Sequence, residues 1–226
     1  MQEISWKENL RVAWFGSFLT GASISLVVPF MPIFVEQLGI EGDQVAFYAG
    51  LAISVSAVSA ALVSPIWGIL ADKYGRKPMM IRAGLAMTIT MGGLAFVPNI
   101  YWLLFLRLLN GVFTGFVPNA TALIASQVPK DKSGAALGTL STGVVAGTLT
   151  GPFVGGFIAE IFGIRNVFLL VGAFLFLAAI LTIFFIKEDF QPVAKEKAIP
   201  TKEVFSSFKY PRLLVNLFLT SFVIQF

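Results

Sequence analysis

The 226-residue sequence is 57% hydrophobic and only 12% charged, whereas about a quarter of a soluble domain is charged. It has no cysteine and no histidine, which removes disulfides, thiolate chemistry and the usual soft metal ligands, so neither a metal nor a cofactor is expected. The net charge of +4 comes from cations in short loops beside apolar runs. We therefore exclude a nucleic-acid partner and expect a multi-pass protein of the lipid bilayer.

Long apolar runs with at most one charge each predict six membrane-spanning helices, because an α-helix needs ~20 residues to cross the hydrocarbon. The runs lie at about 12–35, 47–70, 80–97, 100–124, 136–159 and 165–186. The first run is too long for the apolar part of a signal peptide, so we interpret it as a retained span. Its Val28–Pro32 segment should soften that helix, and Val97-Pro98-Asn99 should separate the third span from the fourth.

The predicted domains are a six-helix bundle over residues 1–186, a cytoplasmic linker over 187–210 and the start of a seventh span over 211–226. Only about fourteen uncharged residues follow the linker, which is too few to cross. With the N-terminus inside, fourteen of the sixteen Lys and Arg fall on the cytoplasmic side. This asymmetry predicts a cytoplasmic N-terminus by the positive-inside rule.

A charged turn separates the second and third spans. Gly75 can end one helix with a positive φ, and Pro78 suits the first turn of the next. Asp72 lies at the negative end of its own helix dipole, so it should be paired with nearby cations or with the N-terminus of another helix. The turn also carries four cations within ten residues, which are Lys73, Arg76, Lys77 and Arg82.

The pattern G-x-x-x-D-K-x-G-R-K in this turn resembles the signature of the major facilitator superfamily between its second and third spans. The matching residues are Gly68, Asp72, Lys73, Gly75, Arg76 and Lys77. The resemblance implies a gating role, in which the motif latches the cytoplasmic ends of two halves during alternating access. The alternative is a hairpin turn that only fixes topology.

The sequence repeats itself at offsets of 87 to 90 residues. The segment from Ser64 to Arg76 resembles the segment from Gly151 to Arg165, and Gly21–Pro29 resembles Gly111–Pro118. The offset corresponds to three spans, and an odd number of spans inverts the second copy across the membrane. We therefore predict two inverted three-helix repeats, as in each half of transporters of this superfamily.

Glycines line one face of the fifth span. Gly143, Gly147, Gly151 and Gly155 recur every four residues, and Pro152 should kink the helix. Small residues at this spacing let helix backbones approach closely in lipid. The arrangement G-x8-G-x3-G-P-x2-G-G, formed by Gly138, Gly147, Gly151, Pro152, Gly155 and Gly156, resembles the antiporter motif of the same superfamily and implies export. Generic tight helix packing is the alternative.

Arg107 lies roughly 10 Å into the fourth span, at 1.5 Å per residue. A cation there costs about 2.5–3.5 kcal/mol on insertion scales, so it should face the bundle interior rather than snorkel outward. The pattern Arg107-x-x-Asn110-Gly111 resembles a motif implicated in proton coupling. Four residues of the same span are candidates for lining a substrate cavity: Asn110, Phe113, Phe116 and Asn119. No acid lies inside a predicted span, so the proton-carrying carboxylate is either a boundary acid or outside this chain.

Together these features predict an all-α membrane protein: the N-terminal six-helix bundle of a twelve-span drug:proton antiporter, followed by a truncated seventh helix. The resemblance implies a plasma-membrane carrier that exchanges lipophilic small molecules for protons and needs a C-terminal six-helix half. Alone, the chain is not expected to transport. A sugar or metabolite carrier of the same fold stays an alternative. A non-transporting membrane protein is less favoured, and so is a membrane enzyme, because no catalytic pairing is visible.

Overall fold

The computed structural model describes residues 5–190, so most of the predicted linker and all of 211–226 lie outside the described residues. Six helical stretches within this range are long and apolar enough to cross a membrane. Ten elements build them: α1 Trp6–Val27, α2 Met31–Gln37, α3 Gln44–Tyr74, α4 Arg76–Gly93, a 3₁₀ turn Leu94–Phe96, α5 Ile100–Phe113, α6 Phe116–Gln127, a 3₁₀ turn Lys130–Lys132, α7 Ser133–Phe162 and α8 Ile164–Phe185.

The fourth span is built from two consecutive helices, α5 and α6, and the helix of the first span, α1, is followed by the short helix α2. The break between α1 and α2 falls at Val28–Phe30, as the sequence predicts. The break between α5 and α6, at Thr114 and Gly115, is a correction, because an unbroken helix was expected there. Pro118 has no N–H to donate to the carbonyl of Thr114 four residues earlier, and Gly115 has a φ of 133°.

Two glycine turns link the second and third helices of each three-helix repeat in the same way. Gly75 has a φ of 98° and donates its N–H to the carbonyl of Ala71, and α4 begins at the next residue. Gly163 has a φ of 84° and donates to Ala159, and α8 follows at once. Positive φ at both positions favours glycine over any residue with a Cβ. We name the two ends of the bundle after these turns, the Gly75 end and the Gly163 end.

The helix pairing shows the duplicated architecture. The first span packs against the fifth, the fourth against the second, and the third against the sixth. If spans one to three are exchanged with spans four to six, the pair of the first and fifth spans becomes the pair of the fourth and second spans. The same three-helix unit therefore occurs twice. The helices α3 and α7 both continue through an internal proline, Pro65 and Pro152.

Burial is uneven among the spans. The first and third spans are about half buried in their most apolar windows, at 56% and 50%, while the second and fifth reach only 22% and 17%. The buried residues form two apolar clusters, one around Phe34 and Phe168 towards the Gly163 end and one around Phe116 and Met80. The second and fifth spans therefore expose most of their apolar surface outside the bundle.

Candidate functional site

The signature turn holds an ion pair on its surface. Asp72 accepts a hydrogen bond from Nη2 of Arg76 at 2.5 Å, four residues further along the chain. A nearby cation therefore pairs with Asp72, which is one of the two partners expected from the sequence. Both side chains are partly exposed, at 57% and 28%, and such pairs contribute only about 0–1 kcal/mol. Lys73 lies over the ring of Tyr74, and an added Cβ at Gly68 would meet open space.

The first amides of α4 are capped by an acid from far along the chain. Arg76 N–H donates to Oε1 of Glu188 at 2.8 Å and Lys77 N–H donates to Oε2 at 2.7 Å. Lys77 Nζ in turn donates to the carbonyl of Ile183, in the last turn of α8, at 3.0 Å. Both arrangements place a charge at the helix end where the dipole favours it. From its position in the sequence Glu188 is expected in the linker, so this contact is visible only in the structure.

A polar network fixes Lys187 at the Gly75 end. Its N–H donates to Oδ1 of Asn9 at 2.9 Å, and its carbonyl accepts from Asn9 Nδ2 at 2.6 Å and from Gln127 Nε2 at 3.0 Å. Asn9 is 1% exposed and also donates to Gln127 at 2.7 Å. The residues just after α8 are therefore held by the first, third and fourth spans rather than starting a free linker.

Arg107 faces the interior of the bundle and does not snorkel to a membrane face. It is 6% exposed, its Nε donates to the carbonyl of Ala52 in α3 at 3.1 Å, and Nη1 contacts the sulfur of Met91 in α4 at 3.7 Å. Within the described residues no carboxylate pairs with it. Arg107 is thus a buried cation whose partners are a carbonyl and a thioether.

Polar contacts surround Arg107 where the second, third and fourth spans meet. Asn110 is 8% exposed and accepts from Thr90 at 3.1 Å. Ser56 and Ser59 donate to backbone carbonyls of α5, those of Arg107 and Leu108, at 2.6 Å and 3.1 Å. Hydroxyl-to-carbonyl contacts of this kind join helices in lipid.

Arg82, which the sequence groups with the cations of the charged turn, is a further functional candidate. It lies inside α4, stacks its guanidinium 3.4 Å from the centre of the Trp67 ring and donates to the carbonyl of Thr114 at 3.3 Å. Trp67 donates to the carbonyl of Val112 at 2.6 Å, and Phe113 is tilted against its ring. The two side chains therefore bind carbonyls at the break in the fourth span. The distance from the Gly75 turn was a signal, since Arg82 is six residues into the helix.

The remaining cavity candidates differ in position. Phe113 is half-buried beside Trp67, whereas Phe116 is 2% exposed and fills the space over Gly16. Asn119 is 7% exposed and donates to the carbonyl of Gly115 in its own span. The structure gives Phe116 a packing position in the core, and a substrate contact for any of these residues stays a prediction.

Four glycines of the fifth span face the first span at close range. An added Cβ at Gly143 would lie 2.7 Å from the carbonyl of Trp14, and one at Gly151 would lie 2.5 Å from Oγ of Ser25. The same face includes Gly147 and Gly155, and all four are buried. The other two glycines of the antiporter pattern are different, because a Cβ at Gly138 or Gly156 would meet nothing within 4 Å.

The sequence was compared with those of known proteins. It is 88% identical over all its 226 residues to the multi-drug resistance efflux pump PmrA of Streptococcus pneumoniae serotype 4, and it covers 57% of that protein. It is 54% identical over 222 residues to the PmrA homolog of Lactococcus lactis, covering 55% of it, and 51% identical over 222 residues to the multidrug resistance protein MdtG of Proteus mirabilis, also covering 55%. The chain thus spans little more than half the length of these relatives.

Two solved structures share the fold. The human organic anion transporter MFSD10 superposes with a TM-score of 0.73 at 18% identity, covering 88% of this chain and 51% of that one. The POT family transporter PepTSo gives a TM-score of 0.73 at 14% identity, with 84% and 40% covered. The sequence pattern described as Major Facilitator Superfamily matches residues 13–226. This chain therefore belongs to the major facilitator superfamily.

Proposed function

We propose that this chain forms part of a proton-coupled transporter that exports lipophilic drugs by alternating access. The observation that carries the proposal is the 88% identity over the whole chain to a protein named as a multi-drug resistance efflux pump. The bundle is one of two that such a transporter needs, since alternating access rocks one bundle against another around a central site. The exposed faces of the second and fifth spans are where we place the other bundle.

The proposed orientation puts the Gly75 end in the cytoplasm of a cell whose plasma membrane the chain spans. Six cations of the described residues lie in or next to the connections at that end: Lys73, Arg76, Lys77, Lys130, Lys132 and Lys187. At the Gly163 end the cation is Arg165, which donates to the carbonyls of Ala95 and Val97. Cation-rich loops stay on the cytoplasmic side of a membrane.

Arg107 is the residue we assign to proton coupling. Its charge is buried with neutral partners, so a carboxylate that approached it would be favoured in the ionised form. Moving such an acid towards Arg107 would release its proton, and moving it away would let a proton bind. Among the described residues no acid pairs with Arg107. We therefore propose that the acid reaches Arg107 in another conformation of the transporter or belongs to the other bundle.

The test uses a chimera in which this chain replaces the matching segment of the pneumococcal pump. Inverted vesicles with an imposed proton gradient should accumulate a lipophilic cationic dye, and Arg107→Ala should abolish the part of that uptake that depends on the gradient. Arg11→Ala is the control, because it removes an exposed cation of α1 and should leave uptake unchanged.

Two outcomes would contradict the proposal. Gradient-driven dye uptake that survives Arg107→Ala would remove this residue from proton coupling. A chimera that moves a sugar or an amino acid but no lipophilic dye would favour the metabolite carrier. The uptake panel therefore has to be run on the same vesicles as the dye.

A further inference from the structure

We propose that Glu188 is a positioning residue that docks the chain leaving the sixth span onto the signature turn and thereby holds the turn in its gating shape. The inference rests on the proposed transport function for its consequence, but the docking itself rests on geometry alone. The sequence pattern of the family signature ends at Lys77. Glu188 lies 111 residues further along the chain from it.

The carboxylate binds where the helix most needs an acceptor. The first amides of a helix have no partner within it, and a negative charge there also interacts favourably with the helix dipole. Each oxygen of Glu188 takes one of these amides, from Arg76 and Lys77, at 2.8 Å and 2.7 Å. The bonds are charge-assisted and bidentate, which makes them strong and directional.

The glycine of the signature turn leaves room for this carboxylate. An added Cβ at Gly75 would lie 2.8 Å from Oε2 of Glu188 and 3.2 Å from Cγ of Phe190. At Gly163, the equivalent turn of the other repeat, φ is similar but an added Cβ meets nothing within 4 Å. Gly75 therefore serves two purposes, positive φ and close approach, whereas Gly163 serves only the first.

The chain just before Glu188 is also held in place. Lys187 has both its backbone groups bonded by Asn9 and Gln127, and Lys77 reaches back to the carbonyl of Ile183. A displacement of the chain after the sixth span would therefore pull on the residues that carry the Asp72–Arg76 pair. Through this connection Glu188 links the start of the interdomain segment to the proposed gate.

The first test measures docking in the 226-residue chain by hydrogen–deuterium exchange at residue resolution. The amides of Arg76 and Lys77 should be protected, and Glu188→Ala should speed their exchange at least about tenfold, the factor expected when hydrogen bonds to a charged group are lost. Asp189→Asn is the matched control, because it removes the same charge one residue later from an exposed side chain. Unprotected amides in the unmodified chain, or equal effects of the two variants, would overturn the docking.

The second test separates close approach from backbone strain. Gly75→Ala should lower the thermal unfolding temperature more than Gly163→Ala, because both introduce strain but only the first meets a carboxylate. In a Glu188→Ala background the difference between the two substitutions should shrink, leaving only the contact of the new Cβ with Phe190. An unchanged difference in that background would show that Glu188 is not the obstacle and would overturn the role assigned to Gly75.

The third test asks whether docking matters for transport, in the chimera used above. Glu188→Ala should lower the maximal rate of dye uptake several-fold with little change in the dye concentration for half-maximal rate, because the turn contains none of the residues proposed to line the cavity. A wild-type rate in Glu188→Ala would overturn the positioning role. If the unmodified chimera moves no dye, the proposed function fails, while the exchange experiment still decides whether Glu188 docks.

Discussion

At the scale of single residues, the half-buried Arg82 has partners that suit an arginine better than a lysine. Arg82 combines a stacked contact on Trp67 with a hydrogen bond to a carbonyl at the break in the fourth span. We expect Arg82→Lys to destabilise the protein by about 1–2 kcal/mol, because an ammonium lacks the planar face that stacks on the ring. Thermal unfolding in detergent measures this, and Trp67 emission should shift at the same time. Arg11→Lys is the control; equal stability of both variants would contradict the stacking.

At the scale of secondary-structure elements, the glycine face of α7 sets the distance between the fifth and first spans. Gly151 and Gly156 lie on the same helix, but only the first is covered by another backbone. Gly151→Ala should destabilise the protein by about 1–3 kcal/mol through overpacking. Gly156→Ala should be neutral or stabilising by up to about 1 kcal/mol, since alanine is the better helix former. Unfolding in mixed micelles compares the two, and equal effects would show that the two spans separate easily.

At the scale of the whole molecule, the two ends of the bundle should lie on opposite sides of the membrane. The sequence contains no cysteine, so a single introduced cysteine is the one residue of this chain that a maleimide can label. Glu41→Cys, between α2 and α3, should react with an impermeant maleimide on intact cells. Asp131→Cys, between α6 and α7, should react only after the cells are permeabilised. The reverse pattern would invert the proposed orientation, and labelling of both on intact cells would contradict a six-span topology.

The sequence by itself was sufficient for the class of fold. Apolar runs, the Val97–Asn99 break and the charged turn at Gly75 depend on local chemistry, because lipid forces each span to satisfy its own backbone as a helix. The repeat offset predicted the duplicated architecture, because an offset of three spans follows from counting the apolar runs. The break at Gly115 was the local feature that was missed, although Pro118 carried its signal.

Only the tertiary structure decided the contacts between residues that are far apart in the chain. By sequence, Glu188 is a linker acid and Arg82 is a cation of the charged turn. Helix packing places Glu188 at the first amides of α4 and Arg82 against the ring of Trp67. The antiporter motif contains five glycines, yet only Gly147, Gly151 and Gly155 face α1 at close range. Sequence periodicity shows which residues share a helix face, but the partner of that face depends on how the spans pack.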